Sequence, residues 1–100
     1  MRYLYHATPF DNLGSILNSG LKPGNDGLVY MCEKPEDAIK FLYIRGYRKL
    51  LVCKVKILKS EEKFIVETFD HSERFFKCRA FGYQGHIDTD KIVDYTKYEW

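Results

Sequence analysis

The chain has 100 residues, of which 45% are hydrophobic, 30% charged and 16% aromatic. These values predict one folded domain over residues 1–100, and they exclude a disordered or low-complexity chain, which would be poor in aromatic residues. Sixteen basic and fourteen acidic residues leave a net charge of +2. That charge is too balanced to predict binding to DNA or to membranes through bulk electrostatics.

The apolar residues are spread along the chain instead of forming one long run. No run approaches the roughly 20 residues needed to cross a bilayer, and residues 1–6 are not typical of a signal peptide. The three cysteines, Cys32, Cys53 and Cys78, form no C-x-x-C pair, so we expect reduced and mostly buried thiols instead of disulfides or a metal site. We therefore expect a cytoplasmic, monomeric protein with no membrane association and no metal.

The first half of the chain predicts two strands, each followed by a helix. Thr8 and Pro9 are typical of an N-cap and a first helical position, and Gly20 is typical of a helix end. The predicted elements are a strand at Tyr3–Ala7, a helix at Pro9–Ser19, a loop at Leu21–Gly27, a strand at Leu28–Cys32 and a helix from Pro35 to Gly46.

The second half predicts strands alone. These are Leu50–Leu58, Phe64–Phe69, Tyr83–Ile87 and Ile92–Tyr95, with a charged turn at Lys59–Lys63. The segment from His71 to Phe81 fits either a turn or a turn followed by a strand from Phe76. The order β-α-β-α-β-β-β-β, with helices early and strands late, predicts an α+β fold.

Two positions near the predicted strands carry candidate binding groups. His6 and Thr8 are two residues apart, so a strand places both side chains on one face, where they could hydrogen-bond a ribose or a phosphate. The alternative is a partly buried histidine with Thr8 acting only as a helix cap. Tyr30 follows a glycine-rich loop and could stack on a planar ring; the alternative is an ordinary core aromatic.

Two segments, His6–Leu21 and Gly27–Ala38, resemble the opening of the ADP-ribosyltransferase superfamily. The first contains His-x-Thr at residues 6–8, Asn-Leu-x-x-Ile-Leu at residues 12–17 and Gly-Leu at residues 20–21. The second contains a strand with a tyrosine, followed by a helix that begins with proline. Members with a similar stretch include DarT-like DNA-modifying toxins and RNA 2′-phosphotransferases, and the resemblance covers about residues 3–45.

The resemblance implies a split β core with two helices in the N-terminal half and a cleft that holds NAD as a substrate. His6 would hold a ribose hydroxyl of NAD, Tyr30 would stack against nicotinamide, and Thr8 would support the ribose or a nearby amide. A flat, partly cationic ring is a good partner for an aromatic face.

The position of the catalytic acid departs from the family pattern. The family carries a glutamate on a late strand, where its charge stabilises the ribose as nicotinamide leaves, and the matching residue here is Gln84. Glutamine can hydrogen-bond a ribose but carries no charge. Glu67 is the alternative acid and Asp88 a third. Arg79 could bind a phosphate at the cleft, or it could be a solvated arginine on a strand.

We therefore expect a protein that binds NAD and transfers ADP-ribose to a macromolecular target, either protein or nucleic acid, as a bacterial or phage toxin or effector does. One alternative is a catalytically reduced module on the same fold that binds nucleotides or another protein. A second alternative is an RNA 2′-phosphotransferase-like activity. The sequence favours this activity less than ADP-ribose transfer to a macromolecule. Those enzymes hold phosphates with several arginines, and this chain has only five arginines in total.

Overall fold

The computed structural model describes residues 1–68 and 80–100. This part of the chain forms six strands and two α-helices in the predicted order. The strands are β1 (Arg2–Pro9), β2 (Leu28–Cys32), β3 (Lys49–Ile57), β4 (Ile65–Thr68), β5 (Ala80–Gln84) and β6 (Ile92–Glu99), and the helices are α1 (Leu13–Ser19) and α2 (Pro35–Tyr43). Short 3₁₀ helices cover Phe10–Asn12, Lys59–Phe64 and Thr89–Lys91.

The strands form an antiparallel sheet in the order β4-β5-β2-β1-β3-β6. β1 pairs with β3 along its whole length, whereas β1 meets β2 at one residue pair, Tyr5 with Cys32. The sheet therefore consists of two three-stranded halves that touch at a narrow junction. This architecture confirms the predicted α+β fold with a split sheet and two early helices.

The two faces of the sheet carry different layers. One face holds the main apolar core, which packs against Ile16 of α1 and is closed by Leu21 and Ile87. α2 packs on the opposite face, over β1, β2 and β3, and buries Ala38 and Leu42 there. The alternation of side chains along each strand divides the apolar residues between these faces.

Gly20 fixes where α1 ends and where the chain turns back toward the sheet. Its φ of 76° lies in the left-handed region, which glycine adopts without steric cost. Directly after it, Leu21 exchanges two backbone hydrogen bonds of 2.9 Å with Ile87. A Cβ atom at Gly20 would collide with the Ile87 carbonyl oxygen, so the sequence needs glycine at this position.

The predicted start of the first helix is wrong. β1 continues through Thr8 and Pro9, which pair with Leu51 and Leu50 of β3, and α1 begins at Leu13. Thr8 is therefore a strand residue and not an N-cap. Pairing with a long neighbouring strand outweighs the local Thr-Pro signal, because ladder hydrogen bonds and burial add along the strand.

Several boundaries in the second half also differ from the prediction. The strand predicted at Tyr83–Ile87 is β5, which ends at Gln84 because Gly85 turns the chain at a φ of 110°. The predicted charged turn is a 3₁₀ helix that extends to Phe64, so β4 begins at Ile65. β6 continues beyond Tyr95 to Glu99. The expected features between residues 69 and 79 lie outside the described residues.

Cys32 and Cys53 are buried, which confirms the predicted burial of these two cysteines. Burial raises the pKa of Cys53 to about 12, so its thiol stays protonated and unreactive at neutral pH. Cys78 lies outside the described residues. Neither helix of the described chain has the length and apolar character needed to cross a membrane.

Candidate functional site

A cavity of about 400 Å³ lies at the split between the two halves of the sheet. It is lined by Tyr5, His6, Ala7, Tyr30, Met31, Cys32, Ala38, Phe41, Leu42, Arg45 and Ala80. These residues come from β1, β2, α2, the residues just after α2 and the start of β5, so α2 forms one wall over the gap in the sheet. A volume of this size, with mostly apolar walls and a few polar groups, is typical of a small-molecule site.

His6 bridges the gap between the two halves. Beyond the Tyr5–Cys32 pair, β1 and β2 no longer continue their ladder, and the His6 ring takes over with Nδ1 lying 2.8 Å from the carbonyl oxygen of Tyr30. Because a carbonyl can only accept, Nδ1 carries the proton and donates it. Nε2 of the neutral ring is then an acceptor, suited to a hydroxyl group of a ligand.

The surroundings of His6 favour its neutral form. Burial lowers the pKa of His6 below its ordinary value of 6.5, and the hydrogen bond to the Tyr30 carbonyl offsets part of that effect. The ring therefore presents an unprotonated Nε2 at neutral pH. An unprotonated Nε2 can accept a hydrogen bond from a ribose hydroxyl. A phosphate would instead bind better to a charged imidazolium.

Tyr30 is held at the mouth of the cavity by a neighbouring acid. Its side chain is 43% exposed, and its hydroxyl donates to Oδ2 of Asp26. Oδ1 of Asp26 accepts a 3.0 Å bond from the backbone N–H of Leu28, which ties the loop to the start of β2. The Tyr30 hydroxyl and the Leu28 N–H lower the pKa of Asp26, so the carboxylate is ionised and orients the tyrosine ring.

Arg45 provides a positive charge at the cavity. It lies just beyond α2, where its backbone N–H bonds the Leu42 carbonyl at 3.0 Å, and Gly46 then turns the chain at a φ of 98°. Its side chain is exposed, and no carboxylate of the described residues pairs with it. An arginine without an ionic partner in a ligand cavity is suited to a phosphate.

The sequence-predicted site residues separate into two groups. His6 and Tyr30 both line the cavity. Thr8 is buried beside β3, and its Oγ1 accepts a 2.8 Å bond from Nδ2 of Asn12. Thr8, Gln84, Glu67 and Asp88 are absent from the lining found among the described residues. Arg79 lies outside the described residues.

The strand register distinguishes Gln84 from Glu67. Tyr30 faces Gly82 of β5, which in turn faces Val66 of β4, so Glu67 projects from the opposite face of the sheet to Tyr30. Gln84 lies two residues from Gly82 on the same strand and shares the face of Tyr30, at a separation of about 7 Å along the strand. Gln84 is exposed, and it pairs with Leu28, on the other side of Tyr30 from Cys32 and Ala80 of the cavity lining.

Sequence reasoning missed Arg45 and Asp26. Arg45 follows a helix end and has no sequence pattern that marks it as a ligand, because its place at the cavity depends on how α2 crosses the sheet. Asp26 precedes Gly27 in the loop before β2, and an aspartate in that position is typical of a side chain that bonds the backbone two residues on. That pattern predicts the bond to Leu28 but not the bond to Tyr30.

No protein-family profile matches the chain. Over 37 residues, the chain is 51% identical to the probable RNA 2′-phosphotransferase 2 of Archaeoglobus fulgidus. This stretch covers 37% of the present chain and 17% of the relative. This chain is therefore similar to a short stretch of an RNA 2′-phosphotransferase, about a sixth of that protein's length.

Proposed function

We propose that the cavity binds NAD and that the protein transfers ADP-ribose from NAD to a phosphate group of RNA. The observation that carries this proposal is the meeting of His6, Tyr30 and Arg45 at one cavity in the gap of the sheet. These side chains offer an acceptor for a hydroxyl group, an aromatic face and a cation with no carboxylate partner among the described residues, which suit the ribose, the nicotinamide ring and the diphosphate of a dinucleotide.

Each side chain has a distinct task in the proposed complex. The exposed ring of Tyr30 stacks on the nicotinamide ring, and Asp26 holds that ring in place through the tyrosine hydroxyl. Nε2 of His6 accepts a hydrogen bond from a ribose hydroxyl, while its Nδ1 remains bonded to Tyr30. Arg45 binds the diphosphate, for which a planar guanidinium is well suited.

The proposed reaction replaces one bond to the ribose carbon by another. NAD supplies an ADP-ribosyl group with nicotinamide as a neutral leaving group. The C–N bond to nicotinamide breaks and its electron pair leaves with the ring, while an oxygen of the RNA phosphate forms the new bond to carbon. Gln84 lies on the face of Tyr30 and can hydrogen-bond the ribose, although it cannot supply a negative charge.

The partial similarity to an RNA 2′-phosphotransferase supports RNA over a protein as the acceptor. A 2′-phosphate is also a better nucleophile toward a developing cation than the neutral side chains of most proteins, because it is anionic at neutral pH. Arg45 at the cavity supplies part of the expected arginine contacts, since one guanidinium can bind the diphosphate of NAD in bidentate fashion.

A second candidate is a nucleotide-binding module without catalysis on the same cavity. One observation favours it: the cavity lining found among the described residues contains no aspartate or glutamate. A carboxylate near the reacting carbon is worth roughly 10²–10³ in rate where charge develops in a dry site. This candidate predicts NAD binding without release of nicotinamide.

Nicotinamide release separates the two candidates. The protein is incubated with NAD and an RNA oligonucleotide carrying one internal 2′-phosphate, and free nicotinamide is measured by chromatography. The proposal predicts release that depends on the phosphate, with none above background for the same RNA bearing a 2′-hydroxyl. Arg45→Gln should reduce release, whereas Lys40→Gln should not, because Lys40 lies on the neighbouring helix α2 but outside the cavity lining. NAD binding with no release supports the non-catalytic module.

A further inference from the structure

A group of aromatic rings gathers around an arginine next to the cavity, where α2 ends. Its members are Tyr43, Tyr47, Arg48, Tyr98 and Trp100, hereafter the tryptophan patch. Trp100 packs edge-on against Tyr43 at a centroid distance of 5.2 Å and lies nearly parallel to Tyr98 at 6.3 Å. Tyr43, Tyr47 and Trp100 nevertheless remain 42%, 43% and 57% exposed.

Arg48 fixes this arrangement and gives it a positive charge. Its guanidinium lies 3.7 Å from the centre of the Tyr43 ring, and Nη1 donates to the carbonyl oxygens of Tyr43 and Tyr47 at 2.9 and 3.0 Å. The backbone N–H of Trp100 donates to the Arg48 carbonyl at 2.9 Å. No carboxylate within residues 1–68 and 80–100 pairs with Arg48, so its charge is available to an anionic partner.

The patch and the cavity share one segment of the chain, residues 42–48. Leu42 and Arg45 line the cavity, Tyr43 lies between them in the sequence, and Tyr47 follows two residues after Arg45. Arg45 at the cavity and Arg48 among the exposed rings are therefore two cations three residues apart in the chain. Aromatic faces beside a track of cations are the usual elements of a surface that binds single-stranded nucleic acid.

We propose that the tryptophan patch binds single-stranded nucleic acid, with a base stacked on Trp100 and a backbone phosphate on Arg48. The proposal rests on the function proposed above, because the bound strand would bring its phosphate to the cavity along Arg48 and Arg45. Stacking requires bases with open faces, which a duplex does not offer, so the patch selects single strands. Every base has an aromatic face, so the patch selects little by sequence.

Fluorescence anisotropy with a labelled oligouridylate of about ten nucleotides tests this proposal. Trp100→Ala and Arg48→Gln should each weaken binding by at least about fivefold, the change expected for losing one stacked base or one phosphate contact. Trp100→Phe keeps a ring and should restore most of the affinity, which distinguishes loss of stacking from a structural defect. Oligothymidylate in place of oligouridylate shows whether the strand must be RNA, and a duplex of the same length should bind more weakly.

Phe64→Ala is the matched control. Phe64 is 38% exposed and leads into β4, at the opposite edge of the sheet from β6, so its removal should leave binding unchanged. Unchanged affinity in Trp100→Ala, equal loss in Phe64→Ala, or no affinity of the parent for single strands would overturn the proposal. Self-association of the parent that Trp100→Ala abolishes would also overturn it and assign the patch to a second copy. NAD binding is measured in the same variants, so failure of the patch remains distinct from failure of the cavity.

Discussion

Nδ1 of His6 donates to the carbonyl oxygen of Tyr30 across the gap where β1 and β2 separate. This bond joins two halves of the sheet whose backbones pair at Tyr5 and Cys32. It also fixes the tautomer of His6, because the nitrogen that faces the carbonyl must carry the proton. The same bond therefore holds the cavity together and prepares Nε2 to accept a hydrogen bond from a ligand.

The first prediction concerns the pH dependence of NAD binding. Burial lowers the pKa of His6 below 6.5, so the neutral ring should persist at and above this pH. Affinity for NAD should be constant above pH 6.5 and fall as the pH drops through the lowered pKa, because protonated Nε2 can no longer accept. The contribution of His6 to folding stability changes with pH in the same direction as the affinity. This contribution is complete above pH 6.5 and is lost as the pH falls through the lowered pKa of the folded state.

Calorimetric titrations with NAD at several pH values, together with an NMR titration of the His6 ring, check this prediction. His86→Ala is the control, because His86 bonds Ser19 and Asp88 away from the cavity lining and its loss should preserve the pH profile. A His6 ring that titrates above pH 6.5 contradicts the prediction.

The second prediction concerns the missing acid. If Gln84 fills the position of the acid, Gln84→Glu should raise the rate of nicotinamide release by supplying a charge that stabilises the ribose. Glu67→Gln should leave the rate unchanged, because Glu67 is absent from the cavity lining found among the described residues. Release that is abolished in Glu67→Gln would reverse this assignment, and release that responds to neither change would place the acid elsewhere.

The order of strands and helices could be predicted from the sequence because it depends on local periodicity. The length of β1 could not, since Thr8 and Pro9 join the sheet through pairing with residues more than 40 positions away. The far end of β6 was missed for a similar reason: Thr96, Lys97 and Glu99 do not form an apolar strand pattern, and β6 lies at an edge of the sheet where one side faces solvent.

The candidate site could be predicted only in part, because local sequence patterns mark some of its residues, whereas others reach the cavity through long-range packing. His6 and Tyr30 lie on segments whose local sequence carries the resemblance, whereas Arg45 reaches the cavity only through the packing of α2 across the sheet. The roles of Gln84 and Glu67 depend on strand register, because a shift by one residue moves a side chain to the other face. Sequence periodicity alone does not determine that register.

The third prediction compares two neighbouring glutamates. Glu61 is buried and bonds Nζ of Lys91 at 2.7 Å, the Leu58 N–H at 3.0 Å and the Tyr83 hydroxyl at 3.2 Å. Burial alone would raise the pKa of Glu61, but Lys91 and these hydrogen bonds outweigh it and lower the pKa below 4.5. Its contribution to stability is therefore complete above pH 4.5 and is lost as the pH falls through the lowered pKa.

Glu61→Gln should lower the free energy of unfolding by about 1–3 kcal/mol, because it leaves Lys91 without its counter-ion. Glu62→Gln should cost less than about 1 kcal/mol, since the Glu62 pair with Arg2 is 41% and 36% exposed. Urea unfolding at neutral pH measures both values. Equal losses in the two variants would contradict the assigned difference in burial.

The fourth prediction compares two glycines of the first helix region. Gly20→Ala should destabilise the protein by at least about 2 kcal/mol, because the new Cβ meets the Ile87 carbonyl in a left-handed backbone conformation. Gly14→Ala should instead stabilise it by about 0.5–1 kcal/mol, since Gly14 lies within α1 and its Cβ would meet no described atom within 4 Å. Thermal unfolding of both variants checks the sign of each change.

Calorimetric titration of NAD into the parent protein, His6→Ala and Tyr30→Ala tests the central claim most directly. We expect saturable binding of NAD to the parent and a loss of about 1–3 kcal/mol of binding free energy in each variant, the scale of one buried hydrogen bond or one stacked ring. His86→Ala should bind as the parent does, and circular dichroism should show that all variants are folded. No binding of NAD to the parent, or the same affinity in the parent, His6→Ala and Tyr30→Ala, would contradict the assignment of the cavity.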